Sequence, residues 1–186
     1  MDIRYHGLES ITIKNKSLEV LVGVDFPLTK KVSQRLLLAN PSKVDIDFGS
    51  VPEDKVLIFG PGDYEVGGVE VIGLTYGEKS LFFVLTIDGY KVGVMFEDGA
   101  IEQIGEKIDS LDVLILLTPL IGFDKKLVNL TKKVGSNFLI LVGDKKDYKE
   151  VLDAVDREDI VASDKFSLKT NEELAEGMEV VLISKL

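Results

Sequence analysis

The chain of 186 residues has no cysteine and a single histidine, His6. Zinc centres draw on thiolate, imidazole and carboxylate donors, and catalytic ones seldom dispense with imidazole. One imidazole and no thiolate cannot furnish such a centre. Nucleophilic catalysis by Ser or Thr needs a neighbouring base, and His6 falls in a strand-like run where a neutral, hydrogen-bonded role accounts for it. The lack of cysteine fits a reducing compartment. No segment approaches the roughly twenty apolar residues of a membrane span. From Asp2 onward the chain enters strand-like alternation without the basic region and apolar run of a secretory signal, so a cytoplasmic, non-membrane protein is expected. Basic charge is scarce as well: 22 Lys and Arg stand against 32 Asp and Glu, for a net charge of −10. Nucleic-acid binding relies on clustered cations and is not expected. The pairs Lys125–Lys126, Lys132–Lys133 and Lys145–Lys146 sit in or beside helical patterns and read as solvated faces.

What is present describes a single folded domain over residues 1–186, with 45% hydrophobic residues, an ordinary content for a globular chain. Residues 2–6, 9–14 and 18–24 read as short strands, broken by Gly7 and by a turn at Asn15-Lys16-Ser17. The apolar run 35–39, ended by Asn40-Pro41, is either a buried strand or the end of a short helix. Residues 56–59, 69–74, 81–87 and 91–96 predict a meander with a hairpin turn at Asp88-Gly89. The period then changes. Residues 101–108, 123–134 and 144–155 carry helical spacing, while 111–117, 138–142 and 178–183 are apolar runs suited to strands covered on both faces. A β-rich half followed by alternating helices and strands points to a layered α/β sandwich.

The segment Pro61-Gly-Asp-Tyr-Glu-Val-Gly-Gly-Val-Glu-Val-Ile-Gly73 resembles a proline-glycine-glutamate-tyrosine segment, followed by glycine and alternating apolar residues, in small proteins of the metallo-β-lactamase fold. The branch it is most similar to is the metal-dependent hydrolases that include ascorbate-phosphate lactonase-like proteins. Residues 3–13, 92–117 and 137–143 and the terminal strand extend the likeness over nearly the whole chain. The resemblance implies an α/β fold, a metallo-β-lactamase-like αβ/βα four-layer sandwich reduced in size, in a family that commonly forms dimers or larger assemblies.

The departures fall where the family keeps its chemistry. Where the family reads glycine–histidine after its first strand, this chain has Gly7-Leu8, and His6 is displaced. The place of the central histidine–any–histidine–any–aspartate–histidine motif is taken by Asn40, Ser42, Val44 and Asp45. An acidic ligand is retained at Asp98, and the later histidine becomes Gly143 or Asp144. Leu8 and Val44 have no lone pair for a metal, and Asn40 and Ser42 offer neutral oxygens, so a zinc-bound hydroxide is not expected. Oxygen-preferring ions such as Mg, Mn or Ca could use Asp45, Asp98 and Asp144 if the fold brought them together, which is the alternative, a hydrolase with a remodelled centre.

Other catalytic patterns are weaker. Glu65 with Glu70, or Asp45 with Asp47, could be drawn as a carboxylate pair, but that is also how a wet strand face looks. Gly60-Pro-Gly62 and Gly67-Gly68 lack the context of a phosphate loop and read as tight turns. Asp63 reads as a turn acceptor and Tyr64 as packing across that turn. The expected function is therefore a non-catalytic, metal-free and cofactor-free protein. It either binds a small molecule or protein partner in an ancestral cleft lined by Leu8, Asn40, Ser42, Asp45, Asp98 and Thr118, or self-assembles as a homo-oligomer through apolar residues such as Leu120, Ile121 and Phe123.

Overall fold

Strand alternation decides which side chains meet. The computed structural model describes residues 1–7, 10–24, 28, 33–42, 44–76, 80–96, 101–117, 133–154, 160–170, 173–174 and 177–184. A first mixed sheet contains β1 (Asp2–Gly7), β2 (Ser10–Lys14), β3 (Glu19–Val22), β4 (Leu36–Leu38), β5 (Val56–Ile58) and β13 (Lys165–Ser167), in the order β13-β1-β2-β3-β4-β5. A second contains β6 (Gly62–Val66), β7 (Val69–Tyr76), β8 (Ser80–Ile87), β9 (Tyr90–Met95), β10 (Val113–Leu116), β11 (Phe138–Val142), β12 (Ala162–Ser163) and β14 (Glu179–Ile183), in the order β12-β14-β11-β10-β9-β8-β7-β6. The inner faces pack on each other: Ile3, Ile11, Ile13, Val20 and Val22 from one sheet meet Val71, Phe83, Leu85, Val92, Val94 and Ile115 from the other in one buried cluster.

The outer faces differ. On the second sheet, Phe82, Met95, Leu114, Leu116, Leu139 and Leu141 are covered by Ile104 of α1 (Ile101–Lys107), by Tyr148 of a 3-10 turn (Lys145–Tyr148) and by Leu152 of α2 (Lys149–Ala154). This second cover explains why β10 and β11 are continuously apolar, as parallel strands buried on both faces must be. On the first sheet, the outward Leu37 and Ala39 are covered by Leu28, Val44, Ile46 and Val51, with a 3-10 turn at Phe48–Ser50. The result is four layers, the outermost one on this side being loop and 3-10 turn among the described residues.

Two of the hairpin turns, β8–β9 and β6–β7, follow their residues. Asp88 and Gly89 have φ of 55° and 85°, and Gly67 and Gly68 have φ of 60° and 80°, the positive pairs that a two-residue turn matched to strand twist requires. The run 36–38 is a strand, hydrogen-bonded in parallel to β3 and β5. Several elements differ from expectation. β5 joins the first sheet instead of the meander, and β6, which has no buried residue and so no apolar alternation to read, takes its place beside β7. Strands β12 and β13 are short and are defined by pairing to β14 and β1. The helical stretch 144–155 divides into the 3-10 turn and α2, and of the pattern 123–134 only 133–134 lie among the described residues, where they are helical.

The crossing between sheets at residues 59–61 presses against β7 at Gly73. A Cβ there would lie 2.5 Å from the Gly60 carbonyl oxygen and 3.3 Å from Pro61 Cα. Both obstacles are backbone and cannot rotate away. Gly73→Ala is expected to destabilise the protein by about 1–3 kcal/mol through overpacking, measured as a lower urea midpoint with an unchanged slope.

Candidate functional site

In sheets containing parallel strands, ligand sites form beyond the carboxyl ends of those strands. Here β3, β4 and β5 in one sheet and β9, β10, β11 and β14 in the other end at the same end of the sandwich. Asn40, two residues past the end of β4, ties the sheets together there. It is 2% exposed, and its Oδ1 accepts from the backbone N–H of Leu81 at 3.1 Å, with the N–H of Ser42 at 3.4 Å. Exchanging the amide oxygen and nitrogen would point an NH2 group at these donors, so the amide orientation is fixed. Nδ2 is left buried with no hydrogen-bond partner among the described residues.

The segment after Asn40 turns away from this end. Val44 and Ile46 pack outward onto the first sheet, beside Leu37 and Ala39, while Asp45 and Asp47 face solvent. That alternation of apolar and charged residues makes the segment a cover strip for the sheet rather than a ligand loop. Asp47 caps the 3-10 turn, with its Oδ1 accepting from Gly49 N at 3.0 Å and its carbonyl accepting from the Ser50 hydroxyl at 2.8 Å. Asp144 is exposed, and its Oδ2 lies 3.6 Å from Lys146 Nζ, a surface pair of small energetic weight.

The position after β11 has been filled by an aromatic side chain. Tyr148 is fully buried, and its hydroxyl donates to the Val142 carbonyl at 2.7 Å, with the Leu116 carbonyl at 3.2 Å, closing the ends of β10 and β11. Gly143 makes room: its φ is 138°, and a Cβ there would lie 3.4 Å from the Tyr148 ring. Sequence periodicity marked residues 144–155 as helical but gave no sign that Tyr148 reaches the strand ends.

The other candidates separate. His6 is exposed on β1, beside a register irregularity, and its Nε2 shares a hydrogen bond of 2.9 Å with the Thr12 hydroxyl. Glu65 and Glu70 face each other across β6 and β7, both exposed, a like-charge pair on a wet face. Asp63 stands within β6 opposite Ile72 instead of at a turn, and the Tyr64 hydroxyl lies 3.2 Å from the carbonyls of both Gly60 and Pro61. Leu8, Asp98, Thr118, Leu120, Ile121 and Phe123 lie outside the described residues.

No protein-family model matches the chain and no curated protein matches its sequence. A crystal structure of a Thermotoga maritima protein, proposed to be a zinc-dependent hydrolase of the metallo-β-lactamase superfamily, superposes with a TM-score of 0.70 over 100% of each chain at 18% identity. The chain has the metallo-β-lactamase fold. At that identity the likeness concerns architecture alone.

Whether this metallo-β-lactamase-fold chain suits zinc is a question of donors. Asn40 Oδ1 is engaged by backbone N–H groups, Val44 is packed in an apolar cover, and Asp45 and Asp144 face solvent. Among the described residues no three His, Cys, Asp or Glu side chains group together to hold an ion. The described donors do not fit zinc. Among the described residues no helix is long and apolar enough to cross a membrane.

Two substitutions test this geometry. Asn40→Leu strands the buried N–H of Leu81 and is expected to lower stability by about 1–3 kcal/mol. Tyr148→Phe removes one hydroxyl donor and is expected to cost about 1 kcal/mol. Both are read from urea denaturation monitored by circular dichroism.

Proposed function

We propose that this chain is a non-catalytic, single-domain, cytoplasmic binding protein that keeps the metallo-β-lactamase fold without a zinc centre and takes a small ligand beside Asn40. The observation that carries this reading is the buried Nδ2 of Asn40, which has no hydrogen-bond partner among the described residues, at the carboxyl ends of the strands. A brace between the sheets needs only Oδ1, which receives the Leu81 N–H. The second polar atom, left alone, costs about 1–3 kcal/mol, and a ligand bearing a carbonyl or carboxylate oxygen removes that cost. Hydrolysis through a metal-activated water has no support in the donor set, because the described acids of the alternative hard-ion centre, Asp45 and Asp144, both face solvent.

Metal-stripped protein titrated calorimetrically with zinc, manganese, magnesium and calcium is expected to take up no stoichiometric ion. One-to-one uptake abolished by Asp45→Asn or Asp144→Asn would restore the hydrolase. In parallel, acetate and acetamide are expected to shift the Asn40 side-chain amide resonances in a nitrogen-15 spectrum. Titrations that leave those resonances unmoved would remove the binding site from Asn40.

A second reading, self-association as a homo-oligomer, is favoured by one surface. Phe48 and Phe59 are 61% and 39% exposed, and their rings meet edge to face at 5.2 Å. Phe59 directly follows β5, and β5 and β6 are each the terminal strand of their sheet, so this side combines open backbone edges with aromatic surface. Sedimentation velocity is expected to show a dimer or larger assembly that Phe48→Ser combined with Phe59→Ser dissolves. A monomeric wild type at micromolar concentration counts against this reading.

A further inference from the structure

We infer that the free edge of β6 is a docking site for an extended basic segment of another protein, which adds to the second sheet as a further strand. This surface is separate from Asn40 and is set by the β6–β7 hairpin. The two-residue turn at Gly67-Gly68 makes Val66 and Val69 the first hydrogen-bonded pair of the ladder, and pairs alternate from there. Tyr64 and Gly62 therefore spend their backbone groups on Val71 and Gly73, while the N–H and C=O of Asp63 and Glu65 point away from β7. β6 is the last strand of its sheet and has no buried residue. Among the described residues, no hydrogen bond occupies the outward backbone groups of Asp63 or Glu65. Two donors and two acceptors stand open in one row.

The side chains beside that row decide which strand fits. Val69 and Val71 belong to the core between the sheets, so Glu70 and Ile72 face outward, and with them their cross-strand partners Glu65 and Asp63. All four are exposed. β6 and β7 carry no Lys or Arg, and Asp63, Glu65 and Glu70 enter none of the described ion pairs. The lysines on this part of the sheet leave that imbalance in place. Thr86 separates Glu70 from Lys91, and Lys91 has an acid of its own, Asp112, whose Oδ2 accepts from its backbone N–H at 2.7 Å. Lys107 of α1 sits toward the far end of β7, where its Nζ donates to the Thr75 carbonyl at 3.3 Å.

Charge on an open edge turns wrong strands away as well as drawing the right one. Two β6 strands paired antiparallel about Tyr64 set Asp63 opposite Glu65 twice, and like charges directly opposed are unfavourable. A second copy is thereby excluded from this edge, and the self-association considered above falls to Phe48, Phe59 and β5. A strand with Lys or Arg at positions two apart matches Asp63 and Glu65, which stand about 7 Å apart along β6. Its middle residue lies on the other face beside the exposed Tyr64, a neighbour that suits a β-branched or aromatic side chain. Main-chain hydrogen bonds then supply affinity, and the alternating side chains supply the choice of partner.

The test titrates the full chain into two fluorescein-labelled peptides, Lys-Val-Lys-Val-Lys and Glu-Val-Glu-Val-Glu. Saturable one-to-one binding of the basic peptide is expected by fluorescence anisotropy, with none of the acidic one. Hydrogen exchange at the Asp63 and Glu65 amides is expected to slow about tenfold with peptide bound, a change that side-chain attraction alone does not produce. The Asp63→Asn, Glu65→Gln double variant is expected to bind about fivefold more weakly. Glu65→Pro removes an N–H that the hairpin does not use, a position where an edge strand accepts proline, and is expected to abolish binding with an unchanged thermal melt. Exchange at both amides unaltered by saturating peptide, equal affinity in the charge variant, or equal binding of the acidic peptide would each overturn the assignment. Exchange at these amides that slows with rising protein concentration, without peptide, would give the edge to a second copy and overturn it as well.

Discussion

Everything in this molecule depends on the burial of two sheet faces against each other. The residues that do this lie mid-strand, Ile11, Ile13 and Val20 on one side and Phe83, Leu85 and Val92 on the other, and all are inaccessible to solvent. Because a strand shifted by one residue would turn its apolar set outward, this contact also fixes register. The hairpin turns, the close approach at Gly73 and the placement of the strand ends follow from that register. Phe83 and Phe96, edge to face at 6.0 Å, extend the same core toward the carboxyl ends of the strands.

Such a core is indifferent to what stands on the loops, and this separates fold from chemistry. The segments past the strand ends lie outside that contact, where a residue is free to change while the inner faces stay packed. Val44 shows the consequence. At a position that the sequence resemblance matches to an acidic residue, it packs against Leu37 and Ala39 on the outer side of the first sheet. Tyr148 shows it a second time, with an aromatic ring and a hydroxyl closing the ends of β10 and β11. Both positions serve packing and satisfied backbone carbonyls.

The strands that bury one or both faces were legible in the sequence, because burial imposes period two on β1 and β2 and continuous apolarity on β10 and β11. β6 was not legible, since an edge strand with a polar exterior carries no periodic signal and exists through its partner β7. The sheet assignment of β5 was hidden for a related reason: three apolar residues announce a strand but not which neighbour it pairs with. At the candidate site, the scarcity of imidazole was plain from composition, whereas the burial of Asn40 and the reach of Tyr148 are tertiary facts. An asparagine before a proline reads locally as a turn, and only the approach of β8 from the other sheet turns it into a buried tie.

Asn40 is therefore the residue at which the separation of fold from site is incomplete. Its oxygen serves the fold by joining β4 to β8, and its nitrogen serves nothing described in the fold. A hydrophobic replacement would remove the idle donor but would abandon the buried Leu81 N–H and with it the tie between β4 and β8, a net loss. A carboxylate would keep the acceptor while bringing an unpaired buried charge, a larger penalty. A side chain that keeps the acceptor and adds no charge thus carries a donor with it, and that donor lies past the end of β4, where β4 is tied to β8. Asparagine here satisfies the architecture, and the donor it leaves over is the atom that the proposed ligand engages.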